Sequence, residues 1–149
     1  MTQYPKQSEG GCLCGEIRFK ATSAPDYVAY CHCTSCRKST GAPAVVYVTY
    51  QQKDVTFTKG NRKKFASSKG VARTFCERCG TPISYEAEWK GDVIVGFFVG
   101  TMDKPDVFPA QKHVAYGERV GWFDASDTLP RFLEFPQSGQ TPDSDAPAI

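Results

Sequence analysis

The chain has 149 residues, of which 18 are basic and 16 acidic, and its formal net charge is +2. So small a net charge gives no reason to expect a nucleic-acid partner, and every apolar stretch is far shorter than a membrane-spanning helix. The N-terminal residues are polar and show no secretory signal. We therefore expect one cytoplasmic domain of ordinary size without membrane contact.

Short strands are predicted along most of the chain. The segment "EIRFKAT" alternates polar and apolar residues, which is typical of a strand with one face on the core. Similar signals, separated by Gly, Pro, Asp and Asn, occur in "DYVAYC", "APAVVYVTY", "DVTFTKG", "GVARTFC", "PISYEAE", "DVIVGFFVG" and "KHVAYG".

These signals predict a mainly β fold of short antiparallel sheets, with one helical turn after Cys33 and irregular structure near "SDTLPRFLEF". The domain is expected to cover residues 1–136. Residues 137–149 are polar and proline-rich, so they are predicted to form a flexible tail. The basic segment "KGNRKKFASSKGVAR" is interpreted as a solvated hairpin rather than an anion-binding surface.

The seven cysteines form three clusters, which are Cys12 with Cys14, Cys31 with Cys33 and Cys36, and Cys76 with Cys79. An odd number of cysteines in a chain without an export signal favours metal ligation over a disulfide framework, because the cytosol keeps thiols reduced.

Four of the cysteines have the pattern of a closed zinc site. Cys76 and Cys79, followed by Gly80, resemble a zinc knuckle, in which the glycine supplies a positive φ angle. Cys12 and Cys14 would point to the same face of a strand and reach one ion together. The alternatives are buried reduced cysteines or a redox pair of Cys76 and Cys79.

Cys31, Cys33 and Cys36 are one ligand short of a tetrahedral site. Either His32 or His113 completes a second structural site, or the fourth position of a zinc ion stays open to water or substrate. We favour a packed or hydrogen-bonded role for each histidine.

An open zinc would hold a thiol as thiolate at neutral pH or polarise a bound oxygen. Three sulfur ligands favour thiol chemistry, because the net negative charge of such a site keeps a bound thiolate nucleophilic. Arg37 and Lys38 follow the third cysteine and can offset that charge or pair with carboxylates of an incoming ligand. Simple solvation is the alternative for both side chains.

At "GGCLCGEIRF", "CHCTSCRKSTGAP" and "RTFCERCGTPISY" the chain resembles the glutathione-dependent formaldehyde-activating enzyme family, which includes centromere protein V. Three later blocks, "GFFVGTMDKP", "KHVAYGERVGW" and "DTLPRF", are also similar to this family. The resemblance implies a tent-like fold of antiparallel sheets and two zinc ions per chain. By position, Cys12, Cys14, Cys76 and Cys79 match the structural zinc ligands, and Cys31, Cys33 and Cys36 match the ligands of the catalytic zinc.

The resemblance implies a carbon–sulfur lyase that joins glutathione and formaldehyde into S-(hydroxymethyl)glutathione. Its expected partners are a small thiol such as glutathione and an aldehyde, with no nucleic acid. The alternative is a non-catalytic zinc module that binds another macromolecule. Four aromatic residues are candidates for lining a pocket, although core packing is favoured for each of them: Tyr47, Phe98, Trp122 and Phe123.

Overall fold

The computed structural model describes residues 3–143, which form ten β-strands and one α-helix, and the prediction of a mainly β fold is confirmed. The helix is Thr34–Thr40 (α1). The strands are Ser8–Gly11 (β1), Arg18–Ala21 (β2), Tyr27–Cys31 (β3), Val45–Gln51 (β4), Val55–Lys59 (β5), Lys63–Ser68 (β6), Val71–Phe75 (β7), Pro82–Trp89 (β8), Asp92–Phe98 (β9) and Lys112–Val114 (β10). No helix in this range is long and apolar enough to cross a membrane.

The chain divides into two compact units. The first unit consists of Met1–Tyr27 and Tyr47–Pro109, and the second of Val28–Val46 and Ala110–Ile149. The domain boundaries predicted at 1–136 and 137–149 stay predictions, and residues 144–149 of the predicted tail lie outside the described residues. Within the predicted tail, the Asp143 backbone N–H donates to the Arg131 carbonyl at 3.2 Å.

The first unit contains a three-stranded antiparallel sheet and a five-stranded antiparallel run, with strand orders β1-β2-β5 and β4-β9-β8-β7-β6. Phe19 of β2 stacks on Phe97 of β9 with ring centroids 3.7 Å apart, and both side chains are buried. The alternation in β2 buries Phe19 and Ala21 and leaves Arg18 and Lys20 on the other face. Burial of these aromatic rings supplies the core of the unit.

The second unit is built around a short parallel pair. Strand β10 pairs with β3, so that His113 faces Tyr30 and Val114 faces Cys31 in register. Only antiparallel strands were predicted, so this pair is a correction. The alternation of polar and apolar residues reports which face of a strand is buried but carries no information about strand direction.

The sequence analysis missed one strand, and it predicted a hairpin that the structure confirms. Strand β1, with the sequence "SEGG", has no apolar alternation. The solvated hairpin predicted at "KGNRKKFASSKGVAR" is confirmed, because β6 pairs with β7 and every side chain of β6 is exposed.

One carboxylate of the first unit is buried beside cations. Glu86 is 5% exposed, and it accepts hydrogen bonds from Arg62 Nε at 2.6 Å and from Ser84 Oγ at 3.0 Å. Lys64 Nζ lies 3.4 Å from the same carboxylate. Burial alone would raise the pKa of Glu86, but Arg62, Ser84 and Lys64 hold it below its usual value.

We expect the Glu86→Gln substitution to lower the free energy of unfolding at pH 7 by about 3 kcal/mol, since it leaves Arg62 largely buried without its counter-charge. The stabilisation by the carboxylate is complete above the unfolded pKa of glutamate, near 4.5, and is lost as the pH falls through the lower folded pKa. Urea unfolding at a series of pH values, in buffer containing zinc, measures this difference.

Glu88→Gln is the matched control, because Glu88 is on the same strand and exposed. Its effect is expected to be near zero at every pH. Equal effects of the two substitutions, or an effect of Glu86→Gln that grows below pH 4.5, would contradict the ion-pair account.

Candidate metal centres

Four sulfur atoms of the first unit lie together in a group that we call the quartet, which consists of Cys12, Cys14, Cys76 and Cys79. All four sulfur atoms are within 4.8 Å of one another. The sulfur of Cys14 lies 3.6 Å from that of Cys12 and 3.8 Å from that of Cys76. Tetrahedral zinc with Zn–S bonds of about 2.3 Å places its sulfur ligands about 3.8 Å apart. The quartet therefore has the donor set and the spacing that zinc requires.

Two similar turns bring these sulfur atoms together. After Cys76, the Gly80 N–H donates to the Cys76 carbonyl at 2.8 Å, and Gly80 has the positive φ of 77° that the sequence predicted. After Cys12, the Gly15 N–H donates to the Cys12 carbonyl at 3.1 Å, and Gly15 also has a φ of 77°. Both glycines adopt a backbone conformation that other residues rarely adopt.

The expectation that Cys12 and Cys14 belong to a strand is wrong. Strand β1 ends at Gly11, and both cysteines lie in the turn that follows it. The turn reverses the chain, since the Cys12 N–H donates to the Ile17 carbonyl at 3.1 Å. The two sulfur atoms therefore meet through the turn and not through the alternation of a strand.

Hydrogen bonds favour the thiolate at Cys12 and Cys79, whereas burial and the neighbouring sulfurs raise the pKa of Cys14 to about 11 against a hydrogen bond from the Glu16 backbone. The Ile17 N–H donates to Cys12 Sγ at 3.2 Å. The hydroxyl and backbone of Thr81 lower the pKa of Cys79 to about 5, and Thr81 Oγ1 lies 3.1 Å from its sulfur. Thr81 also accepts a hydrogen bond from the Leu13 N–H at 3.1 Å, which ties the two turns together. Sequence reasoning assigned no role to Thr81, although it directly follows the knuckle glycine.

The second group, which we call the trio, consists of Cys31, Cys33 and Cys36 and belongs to the second unit. Cys31 ends β3, Cys33 is the N-cap of α1, and Cys36 lies in the first turns of that helix. The predicted helical turn after Cys33 is thus confirmed. The Cys36 N–H donates to Cys33 Sγ at 3.2 Å, so the sulfur of Cys33 takes the role that a Ser or Asp oxygen has at most helix starts.

The three sulfur atoms of the trio have the spacing of metal ligands, and their thiolates would be stabilised by a cation. The sulfur atoms of Cys31 and Cys36 lie 3.5 Å apart, and both residues are buried. The pKa of the Cys31 thiol is raised, first by its contacts with the sulfurs of Cys33 and Cys36 and then by burial. Three neighbouring thiolates repel one another, so ionisation of all three requires a shared positive charge. A zinc ion would supply that charge.

Neither histidine belongs to the trio. Within residues 3–143, the trio contains no ligand besides its three cysteines. His32 and His113 are 1% and 0% exposed, and His32 Nε2 lies 2.8 Å from His113 Nδ1. Burial lowers the pKa of both rings, that of His32 to about 4. The favoured interpretation of both histidines as packed, hydrogen-bonded residues is confirmed.

The two basic residues after the trio have different surroundings. Arg37 donates to the carbonyls of His32 and Glu118 at 3.2 and 3.0 Å, so the protein itself already uses its guanidinium group. Lys38 is exposed on α1. Of the two side chains, Lys38 is therefore the one whose charge faces solvent.

The four aromatic candidates are divided between core and surface. Tyr47 is buried, and its ring centroid lies 4.8 Å from that of Phe98 in the first unit. The expected core packing is therefore confirmed for Tyr47. Trp122 is 79% exposed, so the same expectation is wrong for that residue. Phe123 is half-buried, with its ring 6.5 Å from that of His32. A pocket-lining role of these aromatic residues stays a prediction.

The family model described as glutathione-dependent formaldehyde-activating enzyme matches residues 7–118. The chain belongs to this family. The matched range contains all seven cysteines, and hence both the quartet and the trio. Its description names glutathione and formaldehyde, which supports an enzyme in the broad sense.

Among solved structures, the crystal structure of a Rhodobacter sphaeroides protein is similar to this chain. Its TM-score is 0.50 and its sequence identity is 16%, and the match covers 83% of this chain and 99% of that chain. At this identity the likeness shows a shared fold alone. No curated protein matches the chain.

We expect elemental analysis to find two zinc ions per chain in the wild-type protein and one in the Cys36→Ser variant. Loss of a closed site should cost far more stability than loss of an open one, because its metal-binding energy is part of the folding energy. Cys76→Ser is therefore expected to lower the melting temperature by roughly 10 °C or more. Cys36→Ser should change it by only a few degrees, roughly the effect of an ordinary point substitution.

Thermal melts of both variants, recorded with and without a zinc chelator, measure this asymmetry. The chelator should destabilise the wild type and Cys36→Ser strongly and Cys76→Ser only a little. An equal loss of stability in the two variants would contradict the division between a closed quartet and an open trio.

Proposed function

We propose that this protein is a zinc-dependent carbon–sulfur lyase that forms and cleaves the adduct of glutathione with formaldehyde. The observation that supports the proposal most directly is the trio, in which Cys31 and Cys36 are buried, Cys33 is half-buried, and the described residues add no fourth ligand. A tetrahedral metal held by three protein ligands keeps one position for substrate, which is the arrangement of catalytic zinc sites. The family of the chain supplies the substrate pair.

The reaction joins a thiol to an aldehyde. The sulfur of glutathione forms a bond to the carbon of formaldehyde, the carbon–oxygen double bond becomes a single bond, and the thiol proton is transferred to the oxygen. The product is S-(hydroxymethyl)glutathione, and cleavage follows the same steps in reverse. A zinc ion in the trio would keep the incoming thiol ionised at neutral pH.

The residues of the chain have distinct roles in this proposal. Cys31, Cys33 and Cys36 would hold the metal through their three sulfur atoms. Lys38 is exposed on the same helix and would attract a carboxylate of glutathione, whereas Arg37 fixes the loop through its bonds to main-chain carbonyls. The quartet would hold a structural zinc that fastens the turns of the first unit.

The proposal includes a cytoplasmic location. Glutathione is abundant where thiols are kept reduced, and both cysteine groups need reduced sulfur to bind metal. The described residues contain no disulfide between any of the seven cysteines.

A non-catalytic zinc module is the second candidate, and the hairpin of β6 and β7 is the observation that favours it. Strand β6 exposes every side chain, including Phe65 at 63%, together with Lys63 and Lys64. Lysines on a strand of this kind also prevent pairing with other chains, which explains them without a partner. Exchange kinetics of the wild-type protein and Cys33→Ser separate the two candidates.

We expect the wild-type protein to accelerate the exchange between glutathione, formaldehyde and their adduct, measured by exchange NMR at equilibrium. Cys33→Ser should reduce this rate to that of the uncatalysed reaction, because the metal loses one of its three ligands. Ser35→Ala, an exposed neighbour on α1, is the matched control and should retain the wild-type rate. If wild type and Cys33→Ser both show only the uncatalysed exchange, the formaldehyde–glutathione function is refuted.

A further inference from the structure

A series of hydrogen bonds begins at His32, the residue between Cys31 and Cys33 of the trio. His32 Nε2 lies 2.8 Å from His113 Nδ1, and His113 Nε2 lies 3.0 Å from Asp127 Oδ2. Asp127 is held in turn by the Leu129 N–H at 3.0 Å and by Arg131 Nη1 at 3.3 Å. The reaction described above uses none of these side chains.

The hydrogen-bond chain fixes where the ring protons are. A carboxylate can only accept, so His113 carries its proton on Nε2 and donates it to Asp127. The other nitrogen of His113 then has a lone pair, and His32 must donate to it from its own Nε2. His32 Nδ1 is left as an acceptor, and this buried atom has no hydrogen-bond partner among the described residues.

Three separate interactions hold His32 in place. Its backbone N–H donates to the Val114 carbonyl at 3.2 Å, and its carbonyl accepts from Arg37 Nε at 3.2 Å. Its ring is fixed by His113 and lies against the Tyr116 ring at a centroid distance of 5.1 Å. His32 is the residue between Cys31 and Cys33. A main chain that is fixed at His32 therefore restricts the positions of both neighbouring cysteines.

We propose that Asp127 and His113 are positioning residues that fix His32 in a single tautomer and thereby hold Cys31 and Cys33 in the geometry of metal ligands. The inference rests on the metal-binding role that the proposed function gives to the trio. Its physical basis is preorganisation: a loop that is already ordered loses less conformational entropy when it binds an ion. Neighbours that orient metal ligands commonly change metal affinity 10- to 100-fold when they are removed.

The Asp127→Asn variant tests the inference, with Asp124→Asn as the matched control. Asp124 is exposed in the same loop, so its substitution removes the same charge without breaking the hydrogen-bond chain. An asparagine whose oxygen keeps the Leu129 N–H presents its NH2 group to His113. We expect this to reverse the tautomers of both His113 and His32, so that the buried His32 Nδ1 becomes a donor without an acceptor among the described residues. The ¹⁵N chemical shifts of the imidazole nitrogens report the reversal without any metal.

Cobalt affinity of the trio is the second measurement, made on protein that retains one zinc ion in the quartet. Competition with a chelator, followed by the thiolate-to-cobalt absorption band, should show an affinity roughly 10-fold or more lower in Asp127→Asn and unchanged in Asp124→Asn. Reversed tautomers with unchanged cobalt affinity would overturn the inference. So would wild-type protein in which His113 carries its proton on Nδ1.

If Asp127→Asn does not fold and releases the zinc of the quartet, two further variants test the positioning role. His113→Gln keeps an acceptor oxygen for the His32 ring, whereas His113→Leu does not. The glutamine variant should bind cobalt roughly 10-fold more tightly than the leucine variant, and equal affinities would refute the positioning role. If the trio of the wild-type protein binds no cobalt, the proposed function itself is refuted. The tautomer measurement is independent of that result.

Discussion

The repulsion between neighbouring thiolates is the constraint on which both cysteine groups depend. The sulfur atoms of Cys31 and Cys36 are 3.5 Å apart, and two unit negative charges at that distance repel by about 5 kcal/mol at an effective dielectric constant of 20. A divalent cation converts this repulsion into attraction, and the number of sulfur ligands then decides what the ion can do. Four ligands close the coordination sphere, and three leave room for substrate.

The local structures around the two groups fit these different tasks. The quartet is formed by two turns that end in glycines of positive φ, and it joins segments more than sixty residues apart in sequence. The trio lies where β3 ends and α1 begins, so that the Cys36 N–H of the first helical turn donates to the Cys33 sulfur. The hydrogen bonds from Asp127 through His113 to His32 stabilise the trio on the side of β3.

The cysteine spacing and the strand periodicity predicted the cysteine pairs and most strands, because both are local patterns, and the need of one ion for four ligands joined the two distant pairs into the quartet. The alternation in "EIRFKAT" reports burial within a few residues, and Cys76 and Cys79 reach one ion through a single turn. Other contacts between distant segments carried no such chemical signal and were not predictable. The parallel pairing of β10 with β3 and the bond between His113 and Asp127 depend on how distant segments pack, and no short pattern encodes either.

Zinc-edge anomalous diffraction from crystals grown with zinc and glutathione would test the central claim most directly. The account predicts two zinc ions per chain, one bound by all four sulfurs of the quartet and one bound by Cys31, Cys33 and Cys36 with a non-protein ligand in the fourth position. A disulfide within the trio, or a protein side chain that closes its fourth position, would contradict the account.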